Sequence, residues 1–185
     1  MFDTLDPVNP DELVGIWRGD EIATGHPMDG LLGAMGWFGK EFRGKDEVYP
    51  LLMAGSHGET FSINPGLLPL SVFMSAPRAL IKVLFSVVSP LVHTRKGRAS
   101  LCVQEFHGKR TAAMRYDQKP IIDAFARFGD DSVLGVTDFG RMSTRNYFFT
   151  LTKVAAQEAR GGLICAHASP GTQVLRYPDM ERLIE

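Results

Sequence analysis

The sequence predicts a mainly β protein whose antiparallel strands close into a barrel, with one or two short helices covering an opening. Glycine and proline, at 19 and 11 residues, are spread along the chain as they are in proteins built from short strands and turns. Strand-like segments of the second half follow one another through short loops, which favours a meander of antiparallel neighbours. A chain of 185 residues is long enough to bury one core of ordinary size.

The first strand is predicted over residues 15–24. The preceding stretch NPDELVG is typical of a single helical turn that begins at Pro10 or Asp11 and ends at Gly15. On the strand, Gly15, Trp17 and Gly19 share one face because alternate residues of a strand point the same way. The two glycines therefore leave room beside the indole ring for another segment to cross it.

A helix is predicted over residues 28–42. Apolar side chains recur there at the spacing of one buried helix face, and Trp37 falls roughly opposite that face. Glycine recurs at every third position from Gly30 to Gly39, and each one costs a helix interior about 1 kcal/mol relative to alanine. Such a helix depends on packing, and we interpret the glycines as allowing close contact with a sheet, with direct ligand contact as the alternative. The stripe consists of Met28, Leu31, Leu32, Met35, Phe38 and Phe42.

The middle of the chain is less regular. Short extended pieces are predicted over residues 47–63, and a proline-rich connection follows them. The apolar run at residues 79–92 contains Lys82 and Pro90 and is shorter than the ~20 residues of a membrane span, so no transmembrane helix is predicted. Either a short buried helix or a covering segment fits this run.

Two hairpin-like pairs dominate the second half. The stretch ASLCVQEFHGKRTAAMRYD predicts two strands around a tight turn at Gly108-Lys109. A short helix or a turn-rich insertion is predicted at residues 120–129, where apolar residues precede a terminal glycine. Two further strands follow, joined through Gly140.

The last predicted strand carries Lys153, which we expect to contact Trp17 of the first strand. Tyr147, Phe149, Leu151 and Lys153 share one face of this strand. Lys153 is then in position to cover the ring of Trp17, a contact of about 1 to 2 kcal/mol when it is shielded from water. The pattern decays after Val154, and residues 155–185 are predicted to form a peripheral or partly disordered tail.

The stretches GIWRG and GHPMDGLLGAMGWFGKEF resemble the small bacterial family named for its Gly-X-Trp-X-Gly motif. The stretch from KGRASLCVQEF to YFFTLTKV is similar to the uncharacterised domain that usually follows this motif. Together they cover residues 11–154, which we expect to form a single domain. The resemblance implies a lipocalin-like, calycin-type β-barrel with a structural tryptophan near its N-terminus and a basic residue late in its last strand. It also implies binding of a hydrophobic or lipid-like molecule, with no established reaction.

Little in the sequence indicates catalysis, a metal or a cofactor. Ser56 and His57 are adjacent, but neighbours on a strand point to opposite faces, and the G-x-S-x-G elbow is absent. The five histidines lack the spacing of a metal site, and Cys102 and Cys165 are expected to be free thiols. A formal net charge of −1 gives no general attraction to nucleic acid or to an anionic membrane, so a charge-driven partner must meet a local patch.

We therefore predict a carrier or sensor of a hydrophobic or amphiphilic molecule, such as a fatty acid or phospholipid, inside the barrel. The chain offers 18 aromatic residues (12 Phe, 4 Tyr, 2 Trp) and eight methionines to line a cavity. No basic region followed by an apolar run opens the sequence, which favours a cytoplasmic protein. The predicted ligand-contacting residues are Met35, Trp37, Phe38, Phe125, Phe148 and, for an anionic head group, Arg95; the predicted structural residues are Gly15, Trp17, Gly19 and Lys153.

Two other functions stay open. The opening around Trp17 is similar to that of haem-binding nitrobindins, with His57 or His107 as the iron ligand, although Asp20-Glu21 replaces the glycine run that follows their tryptophan. The other is an interaction module that uses Trp37 and residues 79–92 as an exposed patch. Such a patch would also allow a homodimer.

Overall fold

The computed structural model describes residues 2–56, 58–140, 143 and 145–155. In these residues nine antiparallel strands form a ring-like sheet, which confirms the predicted mainly β, antiparallel fold. The strands are β1 (Gly15–Ile22), β2 (Trp37–Phe42), β3 (Val48–Ala54), β4 (Thr60–Ser62), β5 (Ala99–Phe106), β6 (Lys109–Tyr116), β7 (Ile122–Gly129), β8 (Ser132–Asp138) and β9 (Tyr147–Lys153).

Eight of these strands close the ring in the order β2-β1-β9-β8-β7-β6-β5-β3, and β3 pairs back with β2. The weakest link joins β3 to β5, through the single residue pair Val48 and Ala99. The short β4 lies beside β3 as an additional strand. Residues from all around the ring point inward and form one apolar core, which includes Trp17, Phe125 and Phe149.

Three 3₁₀ turns and three α-helices accompany the strands in the described residues, and two of these turns are Phe2–Thr4 and Pro65–Leu67. A 3₁₀ turn, Pro10–Leu13, precedes β1 as predicted, with Asn9 and Glu12 forming a capping box. The α-helices are α1 (Leu31–Met35), α2 (Leu70–Ser75) and α3 (Arg78–Val92), and α1 packs against α3. None of the described helices has the length and apolar character needed to cross a bilayer.

The predicted helix over residues 28–42 is wrong beyond Met35. Gly36 ends α1 in the left-handed conformation, with φ of 81°, and the chain continues directly into β2. Gly39, with φ of 152°, lies so close to β1 that a Cβ there would come within 1.9 Å of the carbonyl oxygen of Trp17. Trp37 and Phe38 consequently lie on a strand, and Trp37 is buried, with 8% of its surface exposed.

The helix or insertion predicted over residues 120–129 is also wrong, because this segment is strand β7. Both faces of this strand are covered, so apolar residues occur on both of them and the sequence pattern does not indicate a strand. Phe125 points into the ring, whereas Ala124 and Ala126 pack outside it against Phe2 of the N-terminal segment. A strand that is buried on both faces loses the alternation by which strands are recognised.

The other second-half strands follow the prediction closely. The β5–β6 turn is formed by His107 and Gly108, both at positive φ, one residue earlier than predicted. The paired strands β8 and β9 occupy the segments predicted on either side of Gly140. The tail predicted at residues 155–185 lies outside the described residues except for Ala155.

Trp17 lies at one end of the ring, and the neighbouring Gly19 makes room for a second tryptophan. The indole Nε1 of Trp17 donates to the carbonyl oxygen of Leu13 over 2.7 Å, which ties the 3₁₀ turn to β1. The expected contact with Lys153 is present, with Nζ 5.3 Å from the ring centroid. Lys153 is exposed, so this contact belongs at about 0.5–1 kcal/mol, below the expected range. Gly19 leaves room for Trp37, whose ring atoms would come within 2.2 Å of a Cβ there.

Substitution of Gly19 by alanine tests this packing. We expect Gly19→Ala to lower the free energy of unfolding by about 1–3 kcal/mol, because the added methyl group displaces the ring of Trp37. Gly44→Ala is the matched control, since a Cβ at Gly44 meets nothing within 4 Å. Urea unfolding of both variants measures the difference. Equal stability of the two variants would contradict the close packing of Trp37 on β1.

Candidate binding cavity

An apolar cavity of about 60 Å³ lies inside the ring, towards the end opposite Trp17. Tyr116 lies at the end of β6 and Tyr147 at the start of β9, whereas Trp17 pairs with Lys153 at the other end of β9. The strands contribute Trp37, Lys40, Leu51, Tyr116, Thr137, Tyr147 and Phe149; helices and loops contribute Met28, Leu31, Leu32, Met35, Pro65, Leu68, Leu70, Lys119, Ile121 and Phe139.

Helix α1 covers part of the cavity and is held there by Glu21 of β1. The two carboxylate oxygens of Glu21 accept hydrogen bonds from the backbone N–H groups of Leu32 and Gly33, over 3.0 and 3.1 Å. The hydroxyl of Tyr147 donates to the same carboxylate over 2.5 Å. Because the first N–H groups of a helix have no partner within it, Glu21 both satisfies α1 and fixes its position on the ring.

A buried ion pair crosses the interior next to the cavity. Lys40 Nζ lies 2.8 Å from Asp123 Oδ2, and their side chains are 3% and 0% exposed. Lys40 also donates to the carbonyl oxygen of Pro50 over 3.2 Å and to the hydroxyl of Tyr116 over 3.4 Å. Asp123 accepts from the hydroxyls of Thr137, over 2.7 Å, and Tyr116, over 3.3 Å. Both charges are thus hydrogen-bonded on several sides, as burial requires.

Aromatic rings surround the ammonium group as well. Lys40 Nζ lies 4.9 Å from the ring centroid of Phe149, 5.6 Å from that of Trp37 and 5.8 Å from that of Tyr116. The negative faces of such rings attract a cation, most strongly where water is excluded. The ring faces and the carboxylate together compensate for the loss of hydration of the ammonium group.

The two tyrosines of the site are neutral donors. Burial raises the pKa of Tyr116 well above its usual value, and the neighbouring carboxylate of Asp123 raises it further. Burial likewise raises the pKa of Tyr147, with Glu21 adding to the effect. Each phenol therefore keeps its proton at physiological pH and donates it to the carboxylate beside it.

Trp37 carries a polar group that the fold leaves without a partner. Its ring packs edge-on against Phe149, with the centroids 5.8 Å apart. Its indole Nε1 is buried, and no acceptor among the described residues bonds to it. A buried N–H group without a partner costs about 1–3 kcal/mol, so a ligand that supplied an acceptor would gain from this position.

The structure brings only part of the predicted ligand set to the cavity. Met35 and Trp37 line it, and Phe125 lies in the core beside it, 6.3 Å from Phe149 between centroids. Phe38 and Phe148 belong instead to two separate clusters on the outer side of the sheet. Arg95 is exposed and does not line the cavity; its carbonyl oxygen accepts a hydrogen bond from Tyr49.

The residues proposed for the two other functions are placed as follows. His107 is exposed in the β5–β6 turn, where Nδ1 lies 2.9 Å from a carboxylate oxygen of Asp3, and it does not reach the cavity. His57 lies outside the described residues. Trp37 is buried and therefore contributes nothing to an exposed patch, whereas residues 79–92 form most of α3.

Sequence reasoning missed the ion pair and its tyrosine. Lys40 falls within the helix predicted over residues 28–42, and that prediction gives no indication of its inward direction on β2. Asp123 offered a signal, because a single carboxylate between Ile122 and Ala124 interrupts an apolar run and buried carboxylates are usually paired. The identity of its partner had no local signal, since the two residues lie far apart in the sequence.

His26 lies beside the cavity and has a lowered pKa. Only 5% of its surface is exposed, and its ring stacks on Phe139. Its Nδ1 accepts the backbone N–H of Met28 over 3.1 Å, which requires an unprotonated nitrogen. Burial is the main cause of the lowered pKa, and the charge of Arg145 adds to it, while Asp29 opposes it.

This shift predicts a loss of stability in acid. With a folded pKa below the ordinary 6.5, the contribution of neutral His26 is complete above about pH 6.5 and declines as the pH falls towards the folded value, because the unfolded chain then binds more protons. His26→Asn keeps an acceptor for Met28 and lacks the titration. Between about pH 7.5 and about pH 5.5, the free energy of unfolding measured in urea should fall more in the wild type than in His26→Asn. Equal losses would mean that His26 does not titrate differently on folding.

The ion pair can be tested by a double-mutant cycle. We expect Lys40→Met and Asp123→Asn each to lower the free energy of unfolding by about 3–5 kcal/mol, because each leaves one buried charge unpaired. The double variant removes both charges, so its loss of unfolding free energy should be smaller than the sum of the two single losses. Urea unfolding of the four proteins measures this coupling. Additive losses would show that the two charges do not compensate each other.

Comparisons with known proteins agree with the fold. Residues 1–58 match the family described as GXWXG protein, and residues 97–153 match a domain of unknown function, DUF4334. No curated protein matches the sequence. The chain is 30% identical in sequence to a protein from Thermomonospora curvata whose crystal structure matches with a TM-score of 0.63, and the match covers 83% of each chain. The chain belongs to the GXWXG protein family, with the DUF4334 domain following in its second half.

Proposed function

We propose that this protein is a carrier or sensor that binds a hydrophobic or amphiphilic small molecule in the cavity of its ring-like sheet. The observation that carries the proposal is the indole N–H of Trp37, which is buried at an apolar cavity without a partner. Binding sites for small molecules commonly combine apolar walls with a few placed polar groups. The resemblance to the GXWXG family, which implies a lipocalin-like barrel, supports this role. We also propose that the protein is cytoplasmic.

The size of the cavity limits the ligand. About 60 Å³ is well below the roughly 150 Å³ of an apolar cavity that admits benzene. A fatty acid or a phospholipid chain therefore needs the cover to move, and the cover consists of α1 and the apolar residues of segment 65–70. We infer that a molecule of the size of benzene or larger binds only when these segments shift.

The polar end of the ligand is best matched to Trp37. The ammonium group of Lys40 already serves Asp123, Tyr116 and the carbonyl of Pro50, so it has no donor to spare. The opposite charges of Lys40 and Asp123 also balance each other. A ligand oxygen that accepts the N–H of Trp37 is favoured, and a carboxylate would find its counter-ion in Lys119, which also lines the cavity.

Nuclear magnetic resonance can observe this contact directly, because the chain has two tryptophans and so two indole N–H signals. We expect 2-octanone and octanoate to shift the signal of Trp37, and to leave that of Trp17, which donates to Leu13, nearly unchanged. Trp37→Phe should weaken the binding of both probes by about 2- to 12-fold, the value of one hydrogen bond. Phe38→Leu is the matched control, since Phe38 lies outside the cavity.

Organic extraction of the purified protein, followed by mass spectrometry, identifies any amphiphile that the protein retains. Saturable binding that Trp37→Phe weakens and Phe38→Leu does not would support the proposal; in all three proteins it can be followed through the backbone N–H signals of Leu32 and Met35, which line the cavity. The absence of any shift with these probes, together with an extract that contains no bound molecule, would reject it.

A further inference from the structure

Helix α3 has a second apolar face, which points away from the core. Its inner face buries Ile81, Phe85 and Val92. Its outer face exposes four apolar side chains at 53%, 62%, 69% and 78% of their surface. At positions i, i+3, i+7 and i+11 they form one stripe along the helix, which we call the α3 stripe. It consists of Leu80, Val83, Val87 and Leu91.

The stretch of chain that contains the α3 stripe carries charge of one sign only. From Thr60 to Gln104 the sequence contains no aspartate or glutamate, although the whole chain has a formal net charge of −1. The same stretch contains five cations, of which three are exposed. The exposed cations are Lys82 on α3 and Arg95 and Lys96 in the loop that follows it.

Nearby acidic groups are already engaged. Glu47, close to the loop of Arg95, bonds to Arg43 and to the hydroxyl of Tyr49. One carboxylate oxygen of Asp29, which lies near the start of α3, accepts three backbone N–H groups from residues 24–26. The exposed cations Lys82, Arg95 and Lys96 therefore remain available for an external anion.

We propose that the α3 stripe docks on an anionic lipid bilayer. A helix with apolar residues on one face and cations at its edges lies in the plane of a membrane, where the apolar side chains enter the acyl boundary and the cations meet lipid phosphates. The proposal stands on a surface separate from the cavity and does not depend on the ligand. Because α1, which lines the cavity, packs against α3, docking would bring the cavity close to the membrane.

A second copy of the chain fits this surface less well. A two-fold interface places the same patch of each protomer against itself. Residues 60–104 of both protomers would then supply positive charges and no negative ones, and repulsion between like charges opposes such a contact. A bilayer that contains anionic lipid supplies the opposite charge and the apolar layer together.

The test is co-sedimentation of the full chain with vesicles of phosphatidylcholine alone or mixed with phosphatidylglycerol. We expect binding to the mixed vesicles that weakens as salt is raised, and little binding to phosphatidylcholine. Val87→Glu should reduce the binding at least about tenfold, and removal of one charge in Lys96→Gln about fivefold. Val103→Glu is the matched control, because it makes the same change at an exposed valine on β5, outside the α3 stripe. It should stay within about twofold of the wild type.

The outcomes separate the occupants of the surface. Selective binding to anionic vesicles that Val87→Glu removes and Val103→Glu leaves intact supports the proposal. No binding of the full chain, or an equal effect of the two variants, overturns it. A dimer seen by analytical ultracentrifugation that Val87→Glu dissociates would assign the α3 stripe to a second copy, which also overturns it. Loss of ligand binding in the cavity without loss of vesicle binding would affect only the proposed function.

Discussion

The ion pair between Lys40 and Asp123 is the constraint around which the interior of this protein is arranged. It joins β2 to β7, and three strands of the ring lie between them in either direction, so the pair spans the ring. Two charges removed from water need a complete set of partners, and Tyr116, Thr137 and the carbonyl of Pro50 provide it. These partners occupy the centre of the ring and leave the apolar cavity on one side of it.

The Gly-X-Trp-X-Gly motif affects both ends of this interior, through Trp17 and Gly19. Trp17 closes one end through its bond to Leu13, while Gly19, two residues further on, makes the space in which Trp37 lies. Trp37 in turn forms a wall of the cavity and covers the ammonium group of Lys40. The motif therefore has a structural role at Trp17 and an indirect role in the cavity, because any side chain larger than hydrogen at position 19 displaces that wall.

The helices give the protein an inner and an outer apolar surface in the same region. Helix α1 and the segment before α2 line the cavity, and Glu21 holds α1 on the ring. Helix α3 packs on this layer with one face and exposes the α3 stripe with the other. The proposed ligand site and the proposed membrane surface thus share a single helical cover, which is also the part that must move to admit a long chain.

The sequence alone determined strands β5, β6, β8 and β9 and the relation of Lys153 to Trp17, because hairpins and alternating faces are local properties of the chain. The sequence prediction failed for β2, because Gly36 ends the helix in the left-handed conformation, and for β7, because burial on both faces removes the alternation of apolar and polar residues. Only the tertiary structure decided that Lys40 meets Asp123 and that the N–H of Trp37 stays without a partner. Contacts between residues distant in sequence depend on how the ring closes, and local residue spacing does not indicate how it closes.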